Sequence, residues 1–108
     1  MNKGDIYSIE FPIQGGFEQH GSRPTVIIAD ISNEIAVVIP FTSNLKSLKF
    51  PNSLLITPSI ENGLQQDSVA MIFQIRAIDK IRIKKKIGHL ESHYIERIDN
   101  LLRNMLKL

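Results

Sequence analysis

The chain has 108 residues, 43% of them apolar, with a formal net charge of +2; this fits one globular domain over residues 1–108 and excludes a disordered chain. It contains no cysteine, which excludes a disulfide framework, thiol catalysis and a Cys-ligated metal. The pI near 9.0 is only weakly basic, but residues 76–86 carry Arg76, Lys80, Arg82, Lys84, Lys85 and Lys86 against the single acid Asp79.

An isoleucine-rich apolar set without tryptophan leans toward β structure. In Asp5–Phe11, Ile6, Tyr7, Ile9 and Phe11 interleave with Ser8 and Glu10, the pattern of a half-buried strand. Pro12 stops it. The loop that follows is long for so small a domain, and long ordered loops tend to be functional. Gly15, Gly16 and Gly21 allow it positive φ, and Pro24 biases Arg23 toward an extended backbone. Residues 25–29 read as a central strand begun by Arg23, residues 30–34 as a turn, and residues 35–39 as a returning strand too apolar to have one wet face. Pro40-Phe41-Thr42-Ser43-Asn44 places hydroxyls and an amide at the strand's mouth.

A linker over residues 45–50 carries Lys46 and Lys49, and residues 53–57 form another strand. A loop over residues 58–66 contains an Asn62-Gly63 turn, and residues 68–73 are again a strand. In residues 81–87, Arg82, Lys84 and Lys86 share one face of an extended segment and Ile81, Ile83 and Ile87 the other, interrupted by Lys85. After Gly88 the period changes. Tyr94, Ile95, Ile98, Leu101, Leu102, Met105 and Leu106 follow helical spacing, with Glu91 as first-turn acid and Ser92 as cap. Five or more short strands and a C-terminal helix predict a small, strongly curved sheet or barrel with the helix packed across it.

Of the histidines His20, His89 and His93, only the last two have helix-compatible spacing, and no carboxylate cluster accompanies them, so no metal and no cofactor is expected. Neither a nucleotide-binding glycine fingerprint nor a nucleophile elbow is present. What remains is an anion site. Arg23 at the lip of one strand and Thr42 and Ser43 at the end of its neighbour would face one phosphate if they converge. RNA brings its own nucleophile in the 2′-hydroxyl, so stabilising the charge of the transition state is the main task of such a site. Each feature also has a plain structural reading: Arg23 as a tie for its own loop, Thr42-Ser43 as a turn, and the basic strand as an edge guarded by lysines.

Several segments in order then resemble a family. They are Gly4-Asp5-Ile6-Tyr7, Glu18-Gln19 with Gly21-Ser22-Arg23-Pro24, Pro40-Phe41-Thr42-Ser43, Asp67-Ser68-Val69, Gln74-Ile75-Arg76-Ala77-Ile78-Asp79-Lys80, and Gly88-His89-Leu90. Nearly end to end, the chain resembles the MazF/PemK toxin endoribonucleases of type II toxin–antitoxin systems. The resemblance implies a mainly β fold with a C-terminal α-helix, an SH3-like small β-barrel of the MazF/PemK/CcdB type, and a homodimer. It implies sequence-specific, metal-independent cleavage of single-stranded mRNA leaving 2′,3′-cyclic phosphate and 5′-hydroxyl ends. It also implies a cognate MazE-like antitoxin whose disordered tail covers the RNA groove.

By the same resemblance Arg23 matches the catalytic arginine, Thr42 the catalytic threonine and Ser43 the neighbouring hydroxyl. Glu18 and Gln19 match a mobile loop over the substrate, and Gln74 and Arg76 a strand end near the dimer groove. Arg82, Lys84 and Lys86, with Lys46 and Lys49, would steer the RNA backbone. Two positions depart from the family. Phe73 stands where relatives often have an acid, and Phe17 where some have a histidine, with His20 close by. A mechanism needing that acid or imidazole does not transfer, and Arg23 must carry more of the charge stabilisation. The alternatives are a gyrase inhibitor on the same fold, whose usual Trp-Gly-Ile-type ending is replaced here by Met105-Leu106-Lys107-Leu108, and a catalytically weak paralogue that binds antitoxin. The opening Met-Asn-Lys-Gly-Asp lacks an apolar signal core and no apolar run is long enough for a bilayer, so a cytoplasmic location without membrane contact is expected.

Overall fold

The computed structural model describes residues 1–11 and 21–108. Strands β1 (Asp5–Phe11), β2 (Gly21–Asp30) and β3 (Ile35–Thr42) form an antiparallel core. They are followed by β4 (Ser53–Ile56), β5 (Ser68–Met71), β6 (Arg76–Asp79), β7 (Ile83–His89) and the helix α1 (Ser92–Leu106).

Alternate residues of β1, β2 and β3 go to two apolar layers. Ile6, Val26, Ile39 and Phe41 belong to one, and Ile9, Phe11, Ile27, Ala36 and Val38 to the other. Both faces are therefore buried, which is why the β2 and β3 sequences are apolar throughout rather than alternating. Helix α1 closes the first layer with Ile98, fully buried, flanked by Tyr94, Ile95, Leu101, Leu102 and Met105.

The sheet runs β4-β5-β3-β2-β1-β7, with β6 also paired to β3. Strands β5 and β6 share one edge of β3: β5 pairs with Phe41 and Thr42, and β6 with residues 35–38. Among the described residues no pairing joins β7 back to β4. The expected closed barrel is thus an open, curved sheet.

Local expectations are corrected where the chain turns. The predicted strand over residues 68–73 stops at Met71, and a 3-10 turn over Ile72–Gln74 leads into β6. Gln74 therefore ends a 3-10 turn and not a strand. The linker over residues 45–50 is a 3-10 turn, Leu45–Lys49, capped by the Asn44 side chain.

The predicted two-faced segment over residues 81–87 is broken by a 3-10 turn at Lys80–Arg82 and by two register shifts of β7 against β1. The cause lies in Lys80, whose N–H donates to the Glu34 carbonyl at 2.8 Å and whose ammonium pairs with Asp30, drawing the chain to the tip of the β2–β3 hairpin. Lys84, Lys85 and Lys86 are then all exposed, as is Ile81.

At α1 the cap is Glu91, not Ser92. Its backbone carbonyl accepts from Tyr94 and Ile95, while its carboxylate accepts from Asn62.

Candidate active site

Arg23 is the third residue of β2, opposite Ile9 of β1, so it lies within a paired strand and not at its start. The β2–β3 ladder is last paired at Thr25 and Pro40, and two residues beyond that pair on the two strands stand Arg23 and Thr42. Both continue the row of Ile27 and Val38 to the point where its apolar residues run out. Gly21 opens β2 with φ +84, the positive φ its sequence context called for.

A cavity of about 390 Å³ opens at this strand end. One wall is made by Ser22, Arg23 and Pro24 of β2 with Phe41, Thr42 and Ser43. The other is made by residues 63–66, Ser68 and Ile87. Arg23, Thr42 and Ser43, posed by the sequence as a site if they converge, line one cavity.

Arg23 Nη1 donates to the Phe41 carbonyl at 3.2 Å, which holds the guanidinium beside Thr42. Its Nε is buried and has no hydrogen-bond partner among the described residues. Thr42 is 7% exposed, and the Asn44 N–H donates to its Oγ1 at 3.2 Å.

Burial, followed by repulsion from Arg76, lowers the Arg23 pKa below the usual arginine value. Arg76 sits opposite Val38 on β6 with its guanidinium 4.8 Å from the centre of the Phe11 ring. No described residue of the cavity wall is acidic. Two guanidiniums that repel one another, with no described carboxylate in the cavity lining, can share an anion, because each lowers the energy of the same negative charge.

The other expected site residues are not in the cavity wall. Lys46 and Lys49 lie in the exposed 3-10 turn, where Lys49 rests 5.2 Å from the centre of the Phe50 ring. Gln74 ends its own 3-10 turn, and Arg82 ends another. Lys84 and Lys86 are exposed on β7, with Lys86 Nζ 3.6 Å from Asp5 Oδ1. Phe73, at the position the resemblance marks as often acidic, has its ring 5.1 Å from that of Phe50. Glu18, Gln19 and His20, with Phe17, lie outside the described residues.

Sequence reasoning missed the second wall. Residues 58–66 read as a plain loop, yet they contribute Gln65 and Gln66 to the cavity. The available signal was the Asn62-Gly63 turn just before them. Asn62 is fully buried; its Oδ1 accepts from the N–H groups of Ser59 and Leu64, and its Nδ2 donates to Thr57 O and Glu91 Oε1. His89 has a structural role, its Nδ1 hydrogen-bonded to Asp5 Oδ1 at 2.9 Å.

Residues 2–106 match the family model for the PemK-like, MazF-like toxins of type II toxin–antitoxin systems. The chain belongs to this family. This toxin is similar to Endoribonuclease EndoA of Bacillus subtilis, 34% identical over 112 aligned positions that cover 100% of this chain and 96% of that relative. It is also similar to Endoribonuclease MazF of Staphylococcus saprophyticus, 35% identical over 94% of this chain and 88% of the relative. Its fold matches MazF from Deinococcus radiodurans with a TM-score of 0.80, 19% identity, and coverage of 100% of this toxin and 97% of that chain. The fold also matches a mycobacterial endoribonuclease in complex with its cognate antitoxin, with a TM-score of 0.74, 17% identity, and coverage of 98% and 94%. The gyrase-inhibitor alternative finds no support in these likenesses.

Proposed function

We propose that this toxin is a sequence-specific, metal-independent endoribonuclease and that the cavity at the end of β2 and β3 is where it cuts single-stranded RNA. The observation that carries the reading is the meeting of Arg23 and Thr42 in one cavity wall that holds no described acid. Arg23 binds the scissile phosphate and stabilises the charge that builds on it. Thr42 donates to a phosphate oxygen, and Ser43 stands beside it.

The RNA supplies the nucleophile. As the 2′-oxygen bonds to phosphorus, the bond from phosphorus to the 5′-oxygen breaks; the 2′-hydroxyl gives up its proton and the departing oxygen gains one. The ends are a 2′,3′-cyclic phosphate and a 5′-hydroxyl. Fixed donors aimed at developing charge are suited to this step, and losing one commonly costs about 10²–10³ in rate.

Arg76 adds positive potential beside Arg23, and the exposed Lys84, Lys86, Lys46 and Lys49 steer the backbone by charge alone. A single cavity holds about one nucleotide, since ligand pockets of roughly 300–1,000 Å³ take small molecules. A homodimer, the commonest two-fold assembly, would extend it into a groove. The finer fold reading is that the open, curved sheet is a variant of the SH3-like barrel. A MazE-like antitoxin that folds into this groove would inhibit the toxin, and the site of action is the cytoplasm, where mRNA is found.

The test is cleavage of a long single-stranded RNA in EDTA. Wild-type protein should cut at specific sites, Arg23→Ala should lose activity by about 10³-fold or more, and Thr42→Ala by about 10²-fold. Full activity of Arg23→Ala would reject the assignment.

A further inference from the structure

We propose that Gln65 and Gln66 are the residues that read a nucleobase beside the scissile phosphate, with adenine preferred. This rests on the reading of the cavity as the RNA-cleaving site and adds the part of it that recognises sequence.

The cavity is chemically two-sided. Its only described charged wall residue is Arg23, on the β2 side. The other segment that lines it, residues 63–66 with Ser68, is uncharged and offers two exposed primary amides. A nucleotide entering such a space turns its phosphate to the guanidinium and its base to the amides. A glutamine amide presents a donor and an acceptor in one plane, and adenine offers the complementary pair on one edge. In single-stranded RNA that edge is open.

Reading a base requires a backbone that does not yield, and this segment is pinned at both ends. Before it, the fully buried Asn62 spends its carbonyl on the Ser59 and Leu64 N–H groups, both at 3.0 Å. Its amide nitrogen donates to Thr57 O at 2.9 Å and to Glu91 Oε1 at 3.1 Å. Gly63 has φ +70, and a Cβ there would lie 2.2 Å from the Ile87 carbonyl oxygen, so β7 packs directly on the turn. Leu64 is buried between the turn and the amides. After them, Ser68 Oγ donates to the Gln66 carbonyl at 3.1 Å. The segment carrying Gln65 and Gln66 is thus pinned on both sides while both residues line the cavity and stay exposed.

The experiment is digestion of a randomised single-stranded RNA pool by the full-length protein, with sequencing of the cut ends. The wild-type chain should favour adenine at one position flanking the cut, by roughly five- to a hundred-fold, the range of one bidentate contact. Gln65→Ala and Gln66→Ala should flatten that position while the preferences at other positions stay. Gln66→Glu, which can only accept, should move the preference toward cytosine, whose amino group donates. An unchanged motif in all three variants would overturn the proposal. So would an unchanged motif combined with weaker inhibition by antitoxin, which would assign the amides to that protein instead. Absence of any cutting by the wild-type chain would overturn the reading of the cavity itself, and this proposal with it.

Discussion

Arg23 carries a cost to the fold. Its Nε is buried without a described partner, its single described hydrogen bond goes to a backbone carbonyl, and Arg76 repels it. A charge held that way destabilises the fold until an anion arrives. Arg23→Met should therefore raise the thermal midpoint while abolishing cleavage. Exchanges at functional sites of this kind gain about 1 kcal/mol, which for a chain of this size is roughly 4 °C in a melting experiment. A fall in the midpoint would instead mark Arg23 as a tie for its own loop. The residue types of the candidate site were legible in the sequence because an arginine leading into one apolar run and hydroxyls closing another are local features, although Arg23 lies inside β2 and Thr42 ends β3. Arg76 as a neighbour of Arg23 was not, because their approach depends on β6 pairing with β3 across the long connection that holds β4 and β5.

Among the elements, β1 and α1 were readable because their burial follows their own periodicity, and β3 because a continuous apolar run marks a strand buried on both faces. Strand β7 was not. Its alternation in sequence is overridden by the Lys80 contacts to the hairpin tip and by two register shifts against β1. That same β1–β7 edge is tied by Asp5, which is 4% exposed. Burial pushes the Asp5 carboxyl pKa up, but the Asn2 N–H, the His89 hydrogen bond and the charge of Lys86 together bring it below the usual value of 3.8. A carboxylate with a lowered folded pKa stabilises the fold above its unfolded value, and that contribution is lost as pH falls through the folded one. Asp5→Asn should therefore cost about 1–3 kcal/mol at neutral pH, and the gap to wild type should close as the pH drops below about 4. Thermal melts between pH 2 and pH 7 measure this. A gap that stays constant across that range would show that the edge does not depend on the Asp5 charge.

For the whole molecule, patterning left a curved sheet and a barrel both open and the family resemblance implied the barrel, whereas the described strands form an open sheet with no β7–β4 pairing, a long-range contact that no single segment's pattern encodes. The cavity is lined from two distant parts of the chain, the start of β2 with the end of β3, and the turn at residues 63–66. The net charge of +2 is small, so affinity for RNA has to come from where cations stand and not from their number. The central claim is that this chain lends its donors to a nucleophile that the RNA brings. The direct measurement uses one RNA containing a mapped cut site, made with ribose throughout or with 2′-deoxyribose at the nucleotide on the 5′ side of the cut. Cleavage of the first to a 2′,3′-cyclic phosphate and none of the second is the predicted result; equal cleavage of both would contradict it.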